Sequence, residues 1–393
     1  MRAVTWQGRR DVRVEDVPDP IIKEPTDAII KVTSTGLCGS DLHLYEVLGP
    51  FMGEGDILGH EPMGIVEEVG SDTGDLKVGD RVVIPFQISC GSCYFCDQHL
   101  YTQCETTQVK EYGAGAALFG FSKMYGQVAG GQAEYLRVPH ADFTHIVVPE
   151  GPPDDRFLFL SDVLPTAWQA VEYADVEEGG TLLVVGAGPI GDMAARIAMH
   201  RGLRVIVTDS VRERLARVHG RGGETIDHSR VDGVGDAVRE LTDGRGADAV
   251  IDAVGMEAHG SPVAETAQKA LGLLPKKLQE KVMLNFGSDR LAALMSAIDA
   301  VRRGGTISIS GVYGAPTDPL PMFALFDKQV QLRMGQANVR RWSDDILALL
   351  EQDDDVLGVE SFATHHLPLA DAPEAYRKFR DKEDGMVKVV FHP

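Results

Sequence analysis

The sequence predicts an α/β fold that combines a β-rich part with a doubly wound parallel sheet. Short apolar or alternating runs, separated by Gly, Pro and Asp, fill roughly the first 160 residues. Strand-like and helix-like runs alternate from about residue 180, and after about residue 340 the pattern indicates a return to the first part. We therefore expect a first domain over 1–165, a second over 166–337, and a segment, 338–393, that rejoins the first.

Strands of the first part are expected at four short runs: Ala28–Val32, Ile65–Val69, Arg81–Ile84 and Glu134–Val138. In the second part, strands are predicted at Thr181–Val185, Arg204–Thr208, Ala247–Ile251 and Gly305–Ser310, with helices at Ile190–His200 and Val211–Val218. This alternation is typical of βαβ units, which build a parallel sheet covered by helices.

The segment between Gly255 and Gly305 is longer than an ordinary crossover. Its apolar spacing predicts helices at Pro262–Leu274 and Leu291–Val301, and its role stays open between an oligomer contact and an extra wall of a cofactor site. The C-terminal pattern predicts helices, a solvated acidic loop and a strand: Ser343–Leu350, Ala372–Arg380, Asp353–Asp355 and Met386–Phe391.

Charge and composition limit the possible partners. The 393 residues include 38 Lys and Arg against 59 Asp and Glu, a formal net charge of −21. Nucleic acids and anionic lipid surfaces attract clustered positive charge, so we expect neither nucleic acid nor membrane as a partner. The sequence has no apolar stretch of about 20 residues and no signal-peptide core at its start, which predicts a cytoplasmic protein.

Four of the five cysteines lie close together in the first part: Cys90, Cys93, Cys96 and Cys104. Their spacing allows four thiolates to surround one Zn²⁺, and a site with four protein ligands has a structural role. We therefore predict a structural zinc lobe over about residues 88–106. An iron–sulfur cluster is the alternative, whereas an odd cysteine count in a long chain disfavours a disulfide framework.

A glycine-rich turn joins the predicted strand Thr181–Val185 to the helix that follows it. It reads Gly186-Ala187-Gly188-Pro189-Ile190-Gly191, the G-x-G-x-x-G pattern of dinucleotide-binding Rossmann domains. The three glycines respectively permit the sharp turn, the close approach of a pyrophosphate and tight helix–sheet packing. The helix N-terminus offers free N–H groups to the same diphosphate.

The end of the next strand carries Asp209, 23 positions after Gly186. A carboxylate at this point accepts hydrogen bonds from ribose hydroxyls and repels a 2′-phosphate, which favours NAD. Asp209 could instead cap the following helix, and the nearby Arg212 and Arg214 leave NADP as an alternative.

The chain carries several further motifs in order: Gly36–His43, Gly59-His60-Glu61 and Val78–Val82. Together with the four-cysteine segment and the glycine-rich turn, they make the whole chain resemble the zinc-dependent medium-chain alcohol dehydrogenases. Within that superfamily the chain is most similar to the formaldehyde dehydrogenase-like branch, because of Gly55–Glu61, Gly130–Tyr135 and Phe159–Thr166. The resemblance implies a GroES-like catalytic domain beside the Rossmann domain.

The resemblance also implies a catalytic zinc ion held by Cys38, His60 and Asp162, with Asp162 where the superfamily often has cysteine. Without the resemblance, Cys38 and His60 would more often be interpreted as core residues than as metal ligands. Three protein ligands leave one coordination position to water or substrate, and the ion lowers the pKa of the oxygen it binds. We therefore expect two zinc ions per chain and hydride transfer to NAD.

Residues around this centre take their expected roles from the same resemblance. Ser40 and His43 would relay a proton to solvent, although Ser40 could merely cap a helix and His43 merely pack. Asp41 would orient His60. Glu61 would stand behind the ion as an electrostatic partner or transient ligand.

Six more positions are expected to meet substrate or cofactor. Phe86 falls where the family lines its cleft, and Phe51, Thr166 and Trp168 could complete an apolar wall, with Thr166 also near the cofactor. Lys388 aligns with a basic residue that contacts cofactor phosphate in relatives, and Arg214 is expected on the same cofactor.

The function implied is an NAD-dependent oxidation of an alcohol or aldehyde hydrate, of the formaldehyde type or another small alcohol. The alternatives are a larger secondary or cyclic alcohol or polyol, and an aldehyde dismutase with tightly held NAD. A non-catalytic NAD(H)-binding protein and a zinc-free quinone or enoyl reductase fit the ligand set less well. The family further implies a homo-oligomer, with a tetramer favoured over a dimer.

Overall fold

Two polypeptide units make up the structure, a computed structural model that describes residues 1–255, 291–313 and 320–393. The first unit comprises Met1–Pro165 and Ala337–Pro393, and the second comprises Thr166–Gln336. The predicted helix Pro262–Leu274 lies outside the described residues.

The strands of the described residues, numbered in chain order, are β1 (Arg2–Gly8), β2 (Asp11–Asp16), β3 (Ala28–Leu37), β4 (Asp56–Ile57), β5 (Glu61–Val69), β6 (Arg81–Val83), β7 (Tyr135–Val138), β8 (Ile146–Val147), β9 (Thr181–Val185), β10 (Arg204–Asp209), β11 (Glu224–Asp227), β12 (Ala247–Asp252), β13 (Val301–Ile309), β14 (Gln331–Met334), β15 (His365–Pro368) and β16 (Val389–His392). The α-helices are α1 (Gly39–Glu46), α2 (Tyr94–Asp97), α3 (Val163–Ala174), α4 (Pro189–His200), α5 (Arg212–His219), α6 (Val234–Leu241), α7 (Ala292–Ala300), α8 (Met322–Lys328), α9 (Val339–Leu350) and α10 (Ala372–Asp381).

The first unit is built on a largely antiparallel sheet in the order β15-β16-β3-β5-β6-β8, with β7 also paired to β3. A second small sheet has the order β2-β1-β4. Strand β3 lies at the centre, and its Ile30 packs with Val66, Val82 and Leu136 in one buried cluster. The C-terminal strand β16 pairs antiparallel with β3, so the end of the chain is built into the sheet that carries the start.

The second unit contains a parallel six-stranded sheet in the order β11-β10-β9-β12-β13-β14. Its central strand β9 reads TLLVV and is buried over its last four residues, as expected for a strand covered on both faces. Leu183, Ile206, Val250 and Ile307 form part of one core cluster with α7 residues. The predicted combination of a β-rich unit and a parallel nucleotide-binding-type sheet is confirmed.

The predicted segments match the observed elements within a few residues wherever the structure describes them. The longest difference is at β3, which continues from the predicted Ala28–Val32 as far as Leu37. The acidic run Asp353–Asp355 lies in an exposed turn after α9, as predicted. Within the part of the chain that the structure describes, no helix combines the length and apolar character needed to cross a membrane.

Candidate metal and cofactor sites

The four clustered cysteines converge in a small lobe around α2. Their sulfur atoms all lie within 4.8 Å of one another, and the Sγ–Sγ distances for Cys93–Cys96, Cys90–Cys104 and Cys93–Cys104 are 3.5, 3.6 and 3.9 Å. Thiolates bound at about 2.3 Å in a tetrahedron are separated by about 3.8 Å. The lobe therefore has the geometry of a four-thiolate zinc site.

Hydrogen bonds donated to two of these sulfurs favour the thiolate form, which binds a cation. Thr106 Oγ1 donates to Cys90 Sγ at 3.1 Å, and the backbone N–H of Glu105 donates to Cys93 Sγ at 3.4 Å. Burial acts to raise the pKa of Cys90, but the hydrogen bonds, led by that of Thr106, outweigh it and lower that pKa to about 6. Burial and the neighbouring thiols instead raise the pKa of Cys96. A lobe with mixed thiol and thiolate character at neutral pH is a good acceptor for Zn²⁺.

A second group of ligand atoms comes from distant parts of the chain. Atoms of Cys38, His60, Glu61 and Asp162 all lie within 4.8 Å of one another. Asp162 Oδ2 lies 3.4 Å from Cys38 Sγ and 3.3 Å from His60 Nε2. A sulfur, an imidazole nitrogen and a carboxylate oxygen therefore face one point, which suits Zn²⁺.

Local structure places each of these side chains. Cys38 is the N-cap of α1, and Asp41 in the first turn accepts the Cys38 backbone N–H at 3.0 Å through Oδ2. His60 directly precedes β5. Asp162 lies between a 3₁₀ turn and α3, where the Phe86 N–H donates to the carbonyl of Ser161 at 3.1 Å.

Asp41 also orients the imidazole of His60. The Oδ1 atom of Asp41 lies 3.1 Å from His60 Nδ1, and neither atom has another hydrogen-bond partner among the described residues. A proton on Nδ1 leaves the lone pair of Nε2 directed at Cys38 and Asp162, the arrangement of a metal-binding histidine with a carboxylate behind it. The expected role of Asp41 agrees with this position.

Buried anions dominate the electrostatics of this centre. Burial raises the pKa of Cys38 to about 12, and the carboxylates of Asp162 and Glu61 act in the same direction. Burial disfavours a charged His60, but Asp41 and Asp162 outweigh it and raise the His60 pKa well above its ordinary value. Protons on Cys38 and His60 therefore compete with a metal ion for these ligands. A bound divalent cation would relieve the repulsion between the negatively charged ligand groups.

Lys388 occupies a different place from the one that the resemblance implied. Its ammonium is fully buried and donates to Glu61 Oε1 at 2.6 Å, to Glu61 Oε2 and to the carbonyl of Leu37 at 3.1 Å. All three N–H donors of the ammonium are thereby used inside the first unit. This position does not support a phosphate contact; Lys388 instead neutralises Glu61 beside the metal ligands.

Ser40 and Phe86 lie beside the metal ligands. Ser40 Oγ is 3.2 Å from His60 Nε2, and the Phe86 ring meets the His60 ring edge-on with centroids 6.2 Å apart. His43 is buried in α1, three residues after Ser40 and therefore on the same helix face. The side chain that accepts the N–H of the N-cap residue Cys38 is that of Asp41 and not that of Ser40.

The other residues expected to line a substrate cleft are found in different surroundings. Phe51 is buried and meets Tyr112 edge-on at 6.1 Å. Thr166 and Trp168 belong to α3 in the second unit, where the Arg201 guanidinium stacks 4.2 Å from the Trp168 ring centroid. The contacts of these residues do not identify a pocket wall.

The glycine-rich turn of the second unit has the geometry of a dinucleotide site. Gly186 adopts φ +93°, a conformation that favours glycine, and a Cβ at Gly191 would collide with the Gly186 carbonyl. Gly188 is the N-cap of α4, with Pro189 in the first helical position. Among the described residues, a Cβ added at Gly188 would have only Arg214 Nη1 nearby, at 3.7 Å, so this part of the structure leaves the backbone open to a ligand.

Asp209 fixes this turn from the end of β10. Its Oδ2 accepts the Ala187 N–H at 2.8 Å, and its Oδ1 accepts the N–H groups of Ser210 and Val211 at 2.7 and 2.9 Å. Because each carboxylate oxygen can accept two hydrogen bonds, these three contacts leave one acceptor site, on Oδ2, for the ribose. Asp209 therefore accepts N–H groups ahead of α5, as a helix cap would, and it also fits the interpretation as a ribose-binding carboxylate.

Sequence reasoning missed two residues near the metal ligands. Gln132 and Tyr376 are fully buried and form a hydrogen-bonded chain that ends on Asp41. Gln132 belongs to the Gly130–Tyr135 motif, which indicated the family but not this contact. The spacing around Tyr376 predicts only an amphipathic helix.

Comparison with known proteins gives two family matches. Residues 24–150 match the alcohol dehydrogenase GroES-like domain, and residues 189–273 match the zinc-binding dehydrogenase family. These ranges include the first-unit candidate ligands Cys38 and His60, the four-cysteine lobe and the last three residues of the glycine-rich turn.

Relatives of known name cover nearly the full chain. The chain is 42% identical over 397 residues to the zinc-type alcohol dehydrogenase-like protein AdhB of Bacillus subtilis, with 100% of each chain covered. It is 32% identical over 403 residues to the formaldehyde dismutase of Pseudomonas putida, covering 96% of this chain and 94% of that protein. The solved alcohol dehydrogenase TADH from Thermus sp. ATN1 superposes with a TM-score of 0.83 at 34% identity, covering 100% of this chain and 99% of that one.

Proposed function

Because the chain belongs to the zinc-dependent medium-chain alcohol dehydrogenases, in the formaldehyde dehydrogenase-like branch, we propose that it transfers hydride between an alcohol or aldehyde hydrate and NAD. The observation that carries this proposal is the convergence of Cys38, His60 and Asp162, with His60 oriented by Asp41. The donor set of one thiolate, one imidazole and one carboxylate fits zinc, with two negative charges that balance the ion.

When bound, zinc supplies Lewis-acid polarisation of the substrate oxygen, and NAD accepts the hydride. The chain's own residues would hold the ion and keep its ligand side chains in the required orientation. Asp41 keeps the Nδ1 proton of His60, so that Nε2 stays available as a ligand. Lys388 holds both oxygens of Glu61, which keeps this carboxylate, the fourth potential ligand, from competing for the ion.

Ser40 and His43 are proposed to carry the proton that the substrate hydroxyl releases. Ser40 Oγ lies next to the ligand atom of His60, where a substrate oxygen must also come, and His43 follows one helical turn later. A hydroxyl both accepts and donates a proton, and imidazole does so near neutral pH. Phe86 contacts the His60 ring edge-on and would contribute an apolar surface to the substrate site.

NAD is proposed as the cofactor of the second unit. The glycine-rich turn and the N-terminus of α4 suit the pyrophosphate, and Pro189 and Ile190 begin the helix that would receive it. Asp209 would accept the ribose hydroxyls, Arg214 would lie over the turn, and Thr166 is proposed at the same cofactor. The carboxylate of Asp209 would disfavour the 2′-phosphate of NADP.

A second candidate function is favoured by the formaldehyde dismutase relative. A dismutase oxidises one aldehyde hydrate and reduces a second aldehyde with the same cofactor molecule, so it needs no added NAD. Turnover without external NAD, with acid and alcohol formed in equal amounts, would identify this activity. A strict requirement for added NAD would identify a dehydrogenase.

We also propose that the chain forms a homo-oligomer, with a tetramer favoured over a dimer. Among the strands that the structure describes, β14 lies at an edge of the second unit's sheet, and edge strands readily pair with a second chain. Nearby Phe323 and Phe326 on α8 are each 82% exposed, and Met334 on β14 is 60% exposed. Light scattering of the native chain and of Phe323→Ser/Phe326→Ser would test this, because a monomeric native chain would contradict the proposal.

We propose a cytoplasmic location for the enzyme. All five cysteines lie in the two candidate ligand clusters and none is paired in a disulfide, which is usual for proteins of a reducing compartment.

A substrate panel tests the proposed activity directly. Formaldehyde, primary, secondary and cyclic alcohols and polyols are each incubated with NAD or NADP, and reduced cofactor is followed by absorbance. We expect NAD-dependent oxidation of at least one small alcohol or aldehyde, with NADP much poorer. The proposal is contradicted if the zinc-loaded protein oxidises no member of the panel and performs no dismutation.

A further inference from the structure

The carboxylate of Asp41 is held from a third side by a buried amide. Gln132 Nε2 lies 3.3 Å from Asp41 Oδ2 and 3.2 Å from the carbonyl of Gly36. Both partners are acceptors, so the NH₂ group of the amide must face them, and its two hydrogens are both used. The amide therefore has one orientation.

Tyr376 holds the other end of that amide. Its hydroxyl donates to Gln132 Oε1 at 2.8 Å, from helix α10 near the end of the chain. Tyr376 and Gln132 are both fully buried, so water does not replace either hydrogen bond. A continuous chain of contacts thus runs from Tyr376 through Gln132 and Asp41 to His60.

The backbone around Gln132 has little freedom to move. Its N–H donates to the carbonyl of Leu58 at 2.9 Å, and its carbonyl accepts the N–H of Val4 at 2.8 Å. A Cβ on Gly59, the residue before His60, would collide with the Gln132 side chain. The amide is therefore packed directly against the backbone that delivers His60.

We propose that Gln132 and Tyr376 are positioning residues for the metal centre. The amide holds Asp41 at the rotation in which Oδ1 meets His60 Nδ1, while Tyr376 holds the amide. This keeps His60 Nε2 directed at Cys38 and Asp162. The inference rests on the proposed metal site and adds to it two buried residues outside the ligand set.

Gln132→Met tests the proposal, because it keeps the size of the side chain and removes both hydrogen-bonding groups. Loss of a partner behind a ligating histidine typically weakens metal binding about 10- to 100-fold. We expect a loss of this size at the Cys38 centre, measured by chelator competition on the full zinc-loaded chain, with the four-cysteine ion retained. Tyr376→Phe removes one hydroxyl and should give a smaller loss in the same direction.

Cobalt substitution at the Cys38 centre provides a readout that a general loss of stability would not change. The visible absorption of bound Co²⁺ reports its ligand geometry, and we expect altered bands in both variants. Thr242→Val is the matched control, because it also removes buried hydroxyl hydrogen bonds but lies in the second unit. Its cobalt spectrum and metal affinity should equal those of the native chain.

The outcomes separate this inference from the proposed function. If native protein does not bind an ion at the Cys38 centre, the proposed function fails. If native protein binds two ions and Gln132→Met binds both equally tightly, with an unchanged cobalt spectrum, only the positioning role is wrong. Should Gln132→Met not fold, the same comparison made with Tyr376→Phe decides.

Discussion

The two clusters of candidate metal ligands in the first unit are built in opposite ways. The four cysteines lie within fifteen consecutive positions and carry most of their own geometry in one loop and the short helix α2. Cys38, His60 and Asp162 instead come from the start of α1, the start of β5 and the turn before α3. The local cluster needs only its own segment, whereas the dispersed one needs the whole unit to be folded.

This difference gives the two clusters different expected roles: the local cluster would stabilise the fold, and the dispersed cluster would take part in the reaction. A closed set of four thiolates stabilises a lobe that has few apolar residues, whereas three protein ligands leave zinc able to bind a substrate. The dispersed centre also depends on buried partners that are not ligands, including Asp41 and Lys388. Substitutions in the two clusters should therefore have different consequences.

The largest expected effect is on turnover, from Asp162→Ala. Removal of this carboxylate deletes one of three ligands, so we expect activity to be abolished while the circular dichroism spectrum is retained. Asp353→Ala, in the exposed acidic turn, is the control and should have native activity. Activity retained in Asp162→Ala would contradict the ligand assignment.

The opposite pattern is expected for Cys93→Ser in the four-cysteine lobe. Loss of one thiolate should release the structural ion and destabilise the lobe by several kcal/mol, since binding of such an ion contributes directly to folding. Thermal unfolding and limited proteolysis measure the effect. The Cys38 centre should keep its ion at low temperature; a variant as stable as the native chain would show that the lobe does not depend on metal.

Lys388→Met tests how the dispersed centre stays limited to three ligands. Without its ammonium, Glu61 becomes an unpaired buried carboxylate within 4.8 Å of the other ligand atoms, and we expect it to bind the ion. Turnover should fall about 10- to 100-fold, and zinc should leave to a chelator more slowly.

The double variant Lys388→Met/Glu61→Gln provides the control for this effect. It removes the competing carboxylate, so zinc release should return toward the native rate, and the cost of about 3–5 kcal/mol for an unpaired buried charge should be relieved. Zinc release at the native rate from Lys388→Met alone would show that Glu61 does not enter the coordination sphere.

The smallest effect is expected from Asp154→Asn, in the segment that leads to Asp162. Burial acts to raise the pKa of Asp154, but hydrogen bonds from Thr33, Arg81 and Ser34 outweigh it, and that pKa is lowered. A lowered folded-state pKa means that the carboxylate stabilises the fold at neutral pH, and that this contribution is lost as the pH falls below about 4.

We therefore expect Asp154→Asn to lower the free energy of unfolding by about 1–3 kcal/mol at neutral pH and to flatten its decline in acid. Urea unfolding at several pH values measures both changes. Asp243→Asn, at an exposed pair with Arg245, is the control and should change stability by less than about 0.5 kcal/mol. If the free energy of unfolding of Asp154→Asn declined in acid as steeply as that of the native chain, the stabilising role of the Asp154 carboxylate would be contradicted.

Short-range patterns predicted much of this molecule. The alternation of strands and helices, the glycine-rich turn and the four-cysteine cluster each lie within one continuous segment, where spacing reports geometry. Cys38 and His60 could not be paired by spacing alone, because the fold brings them together. The family resemblance supplied that pairing, and relatives along nearly the whole chain confirm the family.

The contacts that the sequence did not predict are those between distant buried polar groups. Lys388 was expected on a cofactor phosphate, but it directly precedes β16, which pairs with β3, and its ammonium contacts Glu61, 327 residues away. Tyr376 and Gln132 are 244 residues apart. A single sequence carries no signal for such pairs, since each residue alone is compatible with an ordinary helix face or strand.

Counting the zinc ions in the purified native chain and in Asp162→Ala, by mass spectrometry after removal of loosely bound metal, tests the central claim most directly. Two independent centres, one local and one dispersed, predict two ions per native chain and one in the variant. A native chain that holds a single ion, or a variant that still holds two, would contradict the assignment of Cys38, His60 and Asp162 as a zinc site.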